Sequence, residues 1–168
     1  FALSSGSEIF LVTQKDIASE DPGAEELYPV GVICEIKQVL FAPDHKSAKA
    51  SVYGKSRAKL LHLESSEPYL QAALRPMKEK KTAKTDEDYE KALVRQCRNQ
   101  FINYIETAGK KPQDLDISFL DLRQPGEICD YIASVLDGDY ADMQQFLSTA
   151  DPLRRIERMC AYLSSETN

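Results

Sequence analysis

The spacing of apolar residues changes once along this chain, and that change divides what it can fold into. Between Val30 and Leu40, the residues Val32, Cys34, Ile36 and Leu40 fall on even places opposite Glu35 and Lys37, the period of a strand with one buried face. Later, Leu93, Cys97, Phe101, Tyr104, Ile105 and Ala108 follow Tyr89 at every third or fourth place, the stripe of an amphipathic helix. Strands followed by helices make an α+β chain. The expected division is a β-rich part over 1–80 and a helical bundle over 81–168.

Turn residues cut the first part into five expected strands. The run Ile9-Phe10-Leu11-Val12 is short and continuously apolar, as in a strand buried on both faces. The alternating segment from Val30 to Leu40 is stopped by Pro43-Asp44. A return strand over 48–53 completes a hairpin, Gly54 supplies a bend, and a further strand covers 58–63. After Ser65-Ser66-Glu67-Pro68 a fifth is expected over 69–76. Short strands so punctuated predict a curled β-sheet or small barrel. Between Val12 and Val30 lies a connector carrying Asp16, Glu20, Asp21, Glu25 and Glu26, read as a solvated loop whose acidity could also attract a basic partner.

A lysine-rich link, Lys78 to Lys84, leads into the second part. Thr85 is expected to cap the first helix, with Asp86, Glu87 and Asp88 opposing the positive end of its dipole and Gly109-Lys110-Lys111-Pro112 ending it. Another helix is expected over 115–122. Pro125 opens the next, with Ile128, Ile132, Val135 and Leu136 inward and Gly138 closing it. Tyr140, Met143, Phe146 and Leu147 mark a short helix. Asp151-Pro152 then starts the last, which turns Leu153, Ile156, Cys160 and Leu163 inward. Amphipathic helices with short links form a bundle.

The totals bound the function classes. A chain of 168 residues buries about 70% of its unfolded surface, enough for one core or two abutting ones. The net charge of −6 excludes a nucleic-acid polycation. No apolar run approaches the roughly 18 residues that cross a bilayer, and a cytoplasmic location without membrane partners is expected. Cys34, Cys97, Cys129 and Cys160 lie far apart and read as small core residues in a reducing compartment.

Catalytic chemistry finds no footing. Gly54-Lys55-Ser56 has the end of a phosphate-binding loop, but Lys49 stands where that motif needs its first glycine, and a strand follows where it needs a helix. His45 and His62 lack further residues at zinc-ligand spacing, so no metal site is expected. No serine or cysteine sits in a recognisable nucleophile motif. The expectation is a non-enzyme without cofactors. Lys46, Lys49, Lys55, Arg57 and Lys59 surround Tyr53 with no carboxylate until Glu64. They could form a basic face for phosphates or acidic peptides, or be the outward lysines that keep a hairpin edge from pairing.

The order of several short words resembles the N-terminal domain of the ATP-dependent Lon protease family. They begin with Ser7-Glu8-Ile9-Phe10-Leu11-Val12 leading to Asp16, and Leu27-Tyr28-Pro29-Val30-Gly31-Val32. Val39-Leu40-Phe41-Ala42-Pro43-Asp44 is similar to the family's strand-to-turn stretch, with His45 in place of its usual glycine. Gly54-Lys55-Ser56-Arg57-Ala58, Gln100-Phe101, Lys111-Pro112, Ile132-Ala133 and Leu153-Arg154-Arg155-Ile156-Glu157-Arg158 follow in family order.

The resemblance implies a PUA-like β-subdomain beside a helical bundle, in a fragment without the ATPase and Ser-Lys peptidase domains of an ATP-dependent serine endopeptidase. It implies engagement of unfolded or damaged proteins and help in assembling a hexamer with other subunits of the same protease. A recognition surface for unfolded chains exposes apolar side chains; the candidates are Ile17, Leu27, Tyr28 and Phe41. Family members place a strand, a Pro-Gly turn and a helix ahead of the equivalent of Phe1-Ala2-Leu3. Without them an unpaired edge is expected to cause self-association, unless those residues lie outside the given sequence. The other readings are an RNA-binding PUA-like module, which the acidity disfavours, and a free-standing adaptor or degradation receptor.

Overall fold

The computed structural model describes residues 6–43, 47–67, 69–80, 86–109, 119 and 122–167. Contacts divide the chain into two compact units, Phe1–Lys78 and Glu79–Asn168. The first is a curled antiparallel sheet of four strands in the order β1-β2-β3-β4: β1 Glu8–Leu11, β2 Val30–Phe41, β3 Ala48–Ser65 and β4 Gln71–Pro76.

Two of the five expected strands are one. Gly54 does not bend the chain; it pairs with Cys34 inside the long β3. The pairing skips Lys55, and a skip also falls at Lys37 on β2 and at Leu61 and Glu64 on β3. Each extra residue is a β-bulge that bends its strand and raises the local twist, so the sheet curls without breaking β3. The bulge at Lys37 also reverses the expected inward pattern. Val32, Cys34 and Ile36 stay on one face, but past the bulge Leu40 turns outward and is 59% exposed. The fourth strand starts at Gln71, leaving Tyr69 and Leu70 exposed before it. Leu27, Val30, Cys34, Ile36, Ala58 and Leu60 are buried.

The acidic connector is closed on itself. Gln14 bridges to Leu27, and the Glu26 carboxylate accepts from the Gly23 N–H at 2.8 Å and the Ser19 hydroxyl at 3.2 Å. Both oxygens of Glu26 are thereby used inside the loop.

The second unit is helical: α1 Glu87–Thr107, α2 Pro125–Val135, α3 Tyr140–Ser148 and α4 Pro152–Glu166. Asp86, rather than the expected Thr85, caps α1, its carboxylate accepting from the Asp88 N–H at 3.0 Å. Thr85 and most of the helix expected over 115–122 fall outside the described residues. Asp139 and Asp151 cap α3 and α4 in the same way, and Pro125 and Pro152 occupy first-turn positions where no N–H is missed. Gly109, at φ +73°, takes the left-handed conformation just past α1.

Leu93, Cys97, Phe101 and Ile105 of α1 pack with Ile128, Cys129 and Ile132 of α2 and Ile156, Met159, Cys160 and Leu163 of α4. Phe101 meets Phe119 edge-on at 5.4 Å, and Phe119 stacks on Tyr131 at 4.7 Å. Fully burying a side chain of this size is worth about 1.5–3 kcal/mol, so this cluster carries the unit. All four cysteines are buried, and none is in a disulfide. No helix among the described residues is long and apolar enough to cross a membrane.

Candidate functional site

Outside the region where β1 and β4 flank them, β2 and β3 continue, among the described residues, as a two-stranded arm. β1 reaches only as far as Glu35 by strand pairing, with Ser7 and Gly6 bonding to Ile36, and β4 pairs only from Ala58 onward. Within the arm, Ile36 lies opposite Val52, Val39 opposite Ala50 and Phe41 opposite Ala48. Side chains directly across an antiparallel pair share a face, so three consecutive rungs on this face are wholly apolar.

That face begins in the core and ends in solvent. Ile36 is 2% exposed, whereas Val52 is 37% and Phe41 53% exposed. Exposed apolar area on a regular element is the kind of surface another chain can cover. Phe41 and Leu40 also line a shallow hollow of about 170 Å³ with Ala48 and Lys49.

The opposite face carries Leu40 and Lys49 at the outer end and a set of paired charges nearer the sheet. Glu35 lies opposite both Glu8 of β1 and Tyr53 of β3. Two carboxylates side by side would repel, and two lysines relieve it: Lys55 Nζ meets Glu8 Oε1 at 2.5 Å and Lys37 Nζ meets Glu35 Oε1 at 2.7 Å. The ammonium of Lys37 also sits 5.5 Å from the centre of the Tyr53 ring. The hydrogen bond from Lys37 draws the Glu35 carboxyl below its ordinary range, and the bond to Glu8 raises Lys55.

This pairing bears on the expected basic face. Lys55 is spent on Glu8, and Arg57 is half-buried; Lys49 and Lys59 are exposed. Lys46 and His45 lie outside the described residues. Gly54-Lys55-Ser56 runs in extended conformation inside β3, which offers no phosphate cradle. Among the described residues no group of three metal-ligating side chains converges.

The four apolar candidates do not form one site. Phe41 stands on the arm, and Ile17 is 90% exposed at a turn of the connector. Leu27 is 7% exposed and belongs to the interior, and Tyr28 is half-buried. Val39 and Val52 were not singled out by sequence, although the alternation Val39-x-Phe41 and Ala48-x-Ala50-x-Val52 carried the signal.

The helical unit has a cleft of about 300 Å³ between the first turns of α2 and α4, with Glu79, Glu90, Glu127, Asp130 and Asp151 in its lining. Beside it Arg155, fully buried, is bonded to Glu79 and Asp130. Sequence reading missed this arginine as a buried group.

Comparison with known proteins adds the following. The family model described as the ATP-dependent protease La (LON) substrate-binding domain matches residues 2–165. Lon protease of Desulfovibrio desulfuricans is 34% identical over 98% of this chain and 18% of its own length. For Lon protease of Heliobacterium modesticaldum the values are 33%, 98% and 20%. The chain thus spans about a fifth of the length of these curated relatives. Among solved structures, the N-terminal domain of Mycobacterium avium complex Lon protease superposes with a TM-score of 0.66 at 21% identity, covering 95% of this chain and 91% of that one. The Lon N-terminal domain protein from Xanthomonas campestris gives 0.52 at 14% identity, with 96% and 92% covered. These two likenesses concern the fold.

Proposed function

The chain belongs to the family of LON substrate-binding domains, and from that membership we propose that it is a non-catalytic N-terminal region of a Lon-type ATP-dependent serine protease that holds unfolded or damaged proteins. The observation that carries this reading is the apolar face of the β2–β3 arm, where Val39, Phe41 and Val52 continue the core outward into solvent. Unfolded chains differ from folded ones chiefly in accessible apolar area, and an exposed apolar ribbon discriminates on that difference. The reading assigns no cofactor to this fragment. Assembly with other subunits of the same protease, and a cytoplasmic location, belong to the same proposal.

The RNA-binding alternative loses support where Glu8 and Glu35 neutralise Lys55 and Lys37 on the opposite face. Covering a half-exposed phenylalanine is worth roughly 1 kcal/mol, half the value of full burial, so Phe41→Ser should weaken client binding about fivefold. Binding of a permanently unfolded, carboxymethylated protein, followed by fluorescence anisotropy, tests this. An affinity unchanged by Phe41→Ser combined with Val39→Ser removes the arm from the function.

A further inference from the structure

We propose that the client is held as an added β-strand along the outer edge of β3, from Ala48 to Val52; this deepens the reading above and rests on it. The phase of the ladder fixes which backbone groups are free. Ala42 donates to Ser47 O at 2.9 Å, so this pair is hydrogen-bonded. In an antiparallel ladder bonded and non-bonded pairs alternate. Counting from Ser47, the amides of Lys49 and Ser51 face β2, and those of Ala48, Ala50 and Val52 face away. Three bonds elsewhere agree with this phase: Ile36, opposite Val52, turns its N–H and carbonyl out toward Ser7 and Gly6, and Arg57 turns its carbonyl out toward the Met77 N–H.

No strand lies beside Ala48, Ala50 and Val52 among the described residues. An edge with free N–H and C=O groups is a template for another extended chain. The residues that present these groups also present the apolar face. A strand added here would set every second side chain beside Ala48, Ala50 and Val52. The two small alanines leave room there for aromatic or branched side chains, bounded by Phe41 in the row behind.

Charge argues for the occupant. Lys49 is exposed and has no carboxylate partner among the described residues. A second copy pairing edge to edge would bring two lysine-bearing strands together, which edge lysines oppose. An unfolded segment with apolar residues at alternate places and neutral or acidic ones between meets attraction instead. The ligand class is therefore an extended, β-competent, non-basic segment.

The test uses the full chain and a labelled ten-residue peptide alternating Val or Phe with Thr or Glu, followed by amide hydrogen exchange in NMR spectra. Binding should slow exchange at Ala48, Ala50 and Val52 at least tenfold and leave Lys49 and Ser51, already bonded to β2, unchanged. Ala50→Pro removes one outward N–H at an edge position where proline is tolerated, and should weaken the peptide at least tenfold; Ala50→Thr should not. A folded Ala50→Pro variant that binds like the parent overturns the inference. So does peptide bound without the alternating protection, a result that also decides if Ala50→Pro fails to fold. Protection of the same three amides without peptide, rising with protein concentration, would assign the edge to a second copy and overturn it. If a carboxymethylated unfolded protein binds but these amides stay unprotected, only the strand geometry fails; if neither probe binds, the proposed function fails with it.

Discussion

Arg155, with no exposed side-chain surface, donates from Nη1 to Asp130 Oδ1 at 3.0 Å. Its Nη2 reaches Glu79 Oε1 at 3.1 Å and its Nε the Thr149 carbonyl at 3.0 Å. Every nitrogen of the guanidinium is therefore engaged, which is the condition for burying a charge. The two carboxylates keep about half their surface in water, 48% and 52%, so only the arginine bears a full desolvation cost.

Removing that arginine should hurt more than removing either partner. Arg155 is a large, fully buried side chain, so Arg155→Ala leaves a cavity, a change that costs about 2–5 kcal/mol for large core residues, and should lower the urea midpoint of the helical unit strongly. Asp130→Asn keeps an oxygen facing Nη1 and should cost about 1 kcal/mol. Equal midpoints for both variants would deny Arg155 its structural role.

Gly31 is required by a close approach. A Cβ there would lie 2.3 Å from the Leu11 carbonyl oxygen and 2.7 Å from the Phe10 ring. The ring can turn aside, but the carbonyl belongs to the β1–β2 ladder and cannot. Gly31→Ala should therefore destabilise the sheet by about 3 kcal/mol, the upper range for overpacking, read as a lower melting temperature. Gly54→Ala, whose Cβ meets only Val32 at 3.4 Å, is the matched control and should change little.

What the sequence announced were features set by near neighbours. The stripe Leu93, Cys97, Phe101, Ile105 and the starts at Pro125 and Asp151-Pro152 obey a period or a cap that a few residues define. Gly54 was read as a bend because glycine in a strand often is one; here the bulge at Lys55, visible only once β2 is alongside, absorbs the curvature. Leu40 was placed inward by extending the alternation past Lys37, where the second bulge reverses the faces. Arg155 was invisible for a similar reason. Its partners lie 25 and 76 positions away, and a charged residue on a helix reads as solvated until those carboxylates are brought to it.

Acid should weaken the paired charges of the sheet in a defined window. The Glu35 carboxyl is drawn below its ordinary range by Lys37. A group with a depressed folded pKa contributes stability above its unfolded value, about 4.3 for glutamate, and that contribution is lost as pH falls through the folded value. Glu35→Gln should thus lower the urea midpoint slightly at pH 7, with the difference from the parent closing below pH 4. Added salt should shrink the difference at pH 7, because Lys37 is exposed and Glu35 is only partly buried. A difference that persists at pH 3 would trace to packing instead.

The cysteines should be silent until the chain unfolds. Cys97 and Cys129 have no exposed surface, and Cys34 and Cys160 are 4% and 5% exposed. The hydrogen bond to Cys160, together with burial, holds the Cys97 thiol far above its ordinary pKa, and burial raises Cys34; the same bond lowers Cys160, whose 5% exposure shields it from a reagent. Only the thiolate reacts quickly. Titration with a disulfide reagent at pH 8 should find no fast thiols in the native chain and four in urea. A rapid native thiol would show that one unit opens locally on the reagent's time scale.

The bulge at Lys37 should separate residues that hold the fold from residues that serve the surface, although both share one apolar face. Ile36, on the core side, is 2% exposed, and Ile36→Ala should cost about 2–4 kcal/mol through lost burial and the cavity left behind. Phe41, two rungs farther along this face and 53% exposed, covers little in the free chain, and Phe41→Ala should change stability by about 0.5 kcal/mol or less. For binding the order should reverse, with Phe41→Ala weakening an unfolded client and the folded fraction of Ile36→Ala binding normally. Melting curves and client anisotropy on the two variants check both halves. A Phe41→Ala variant as unstable as Ile36→Ala would make the arm's apolar face part of the core and leave it no surface to offer.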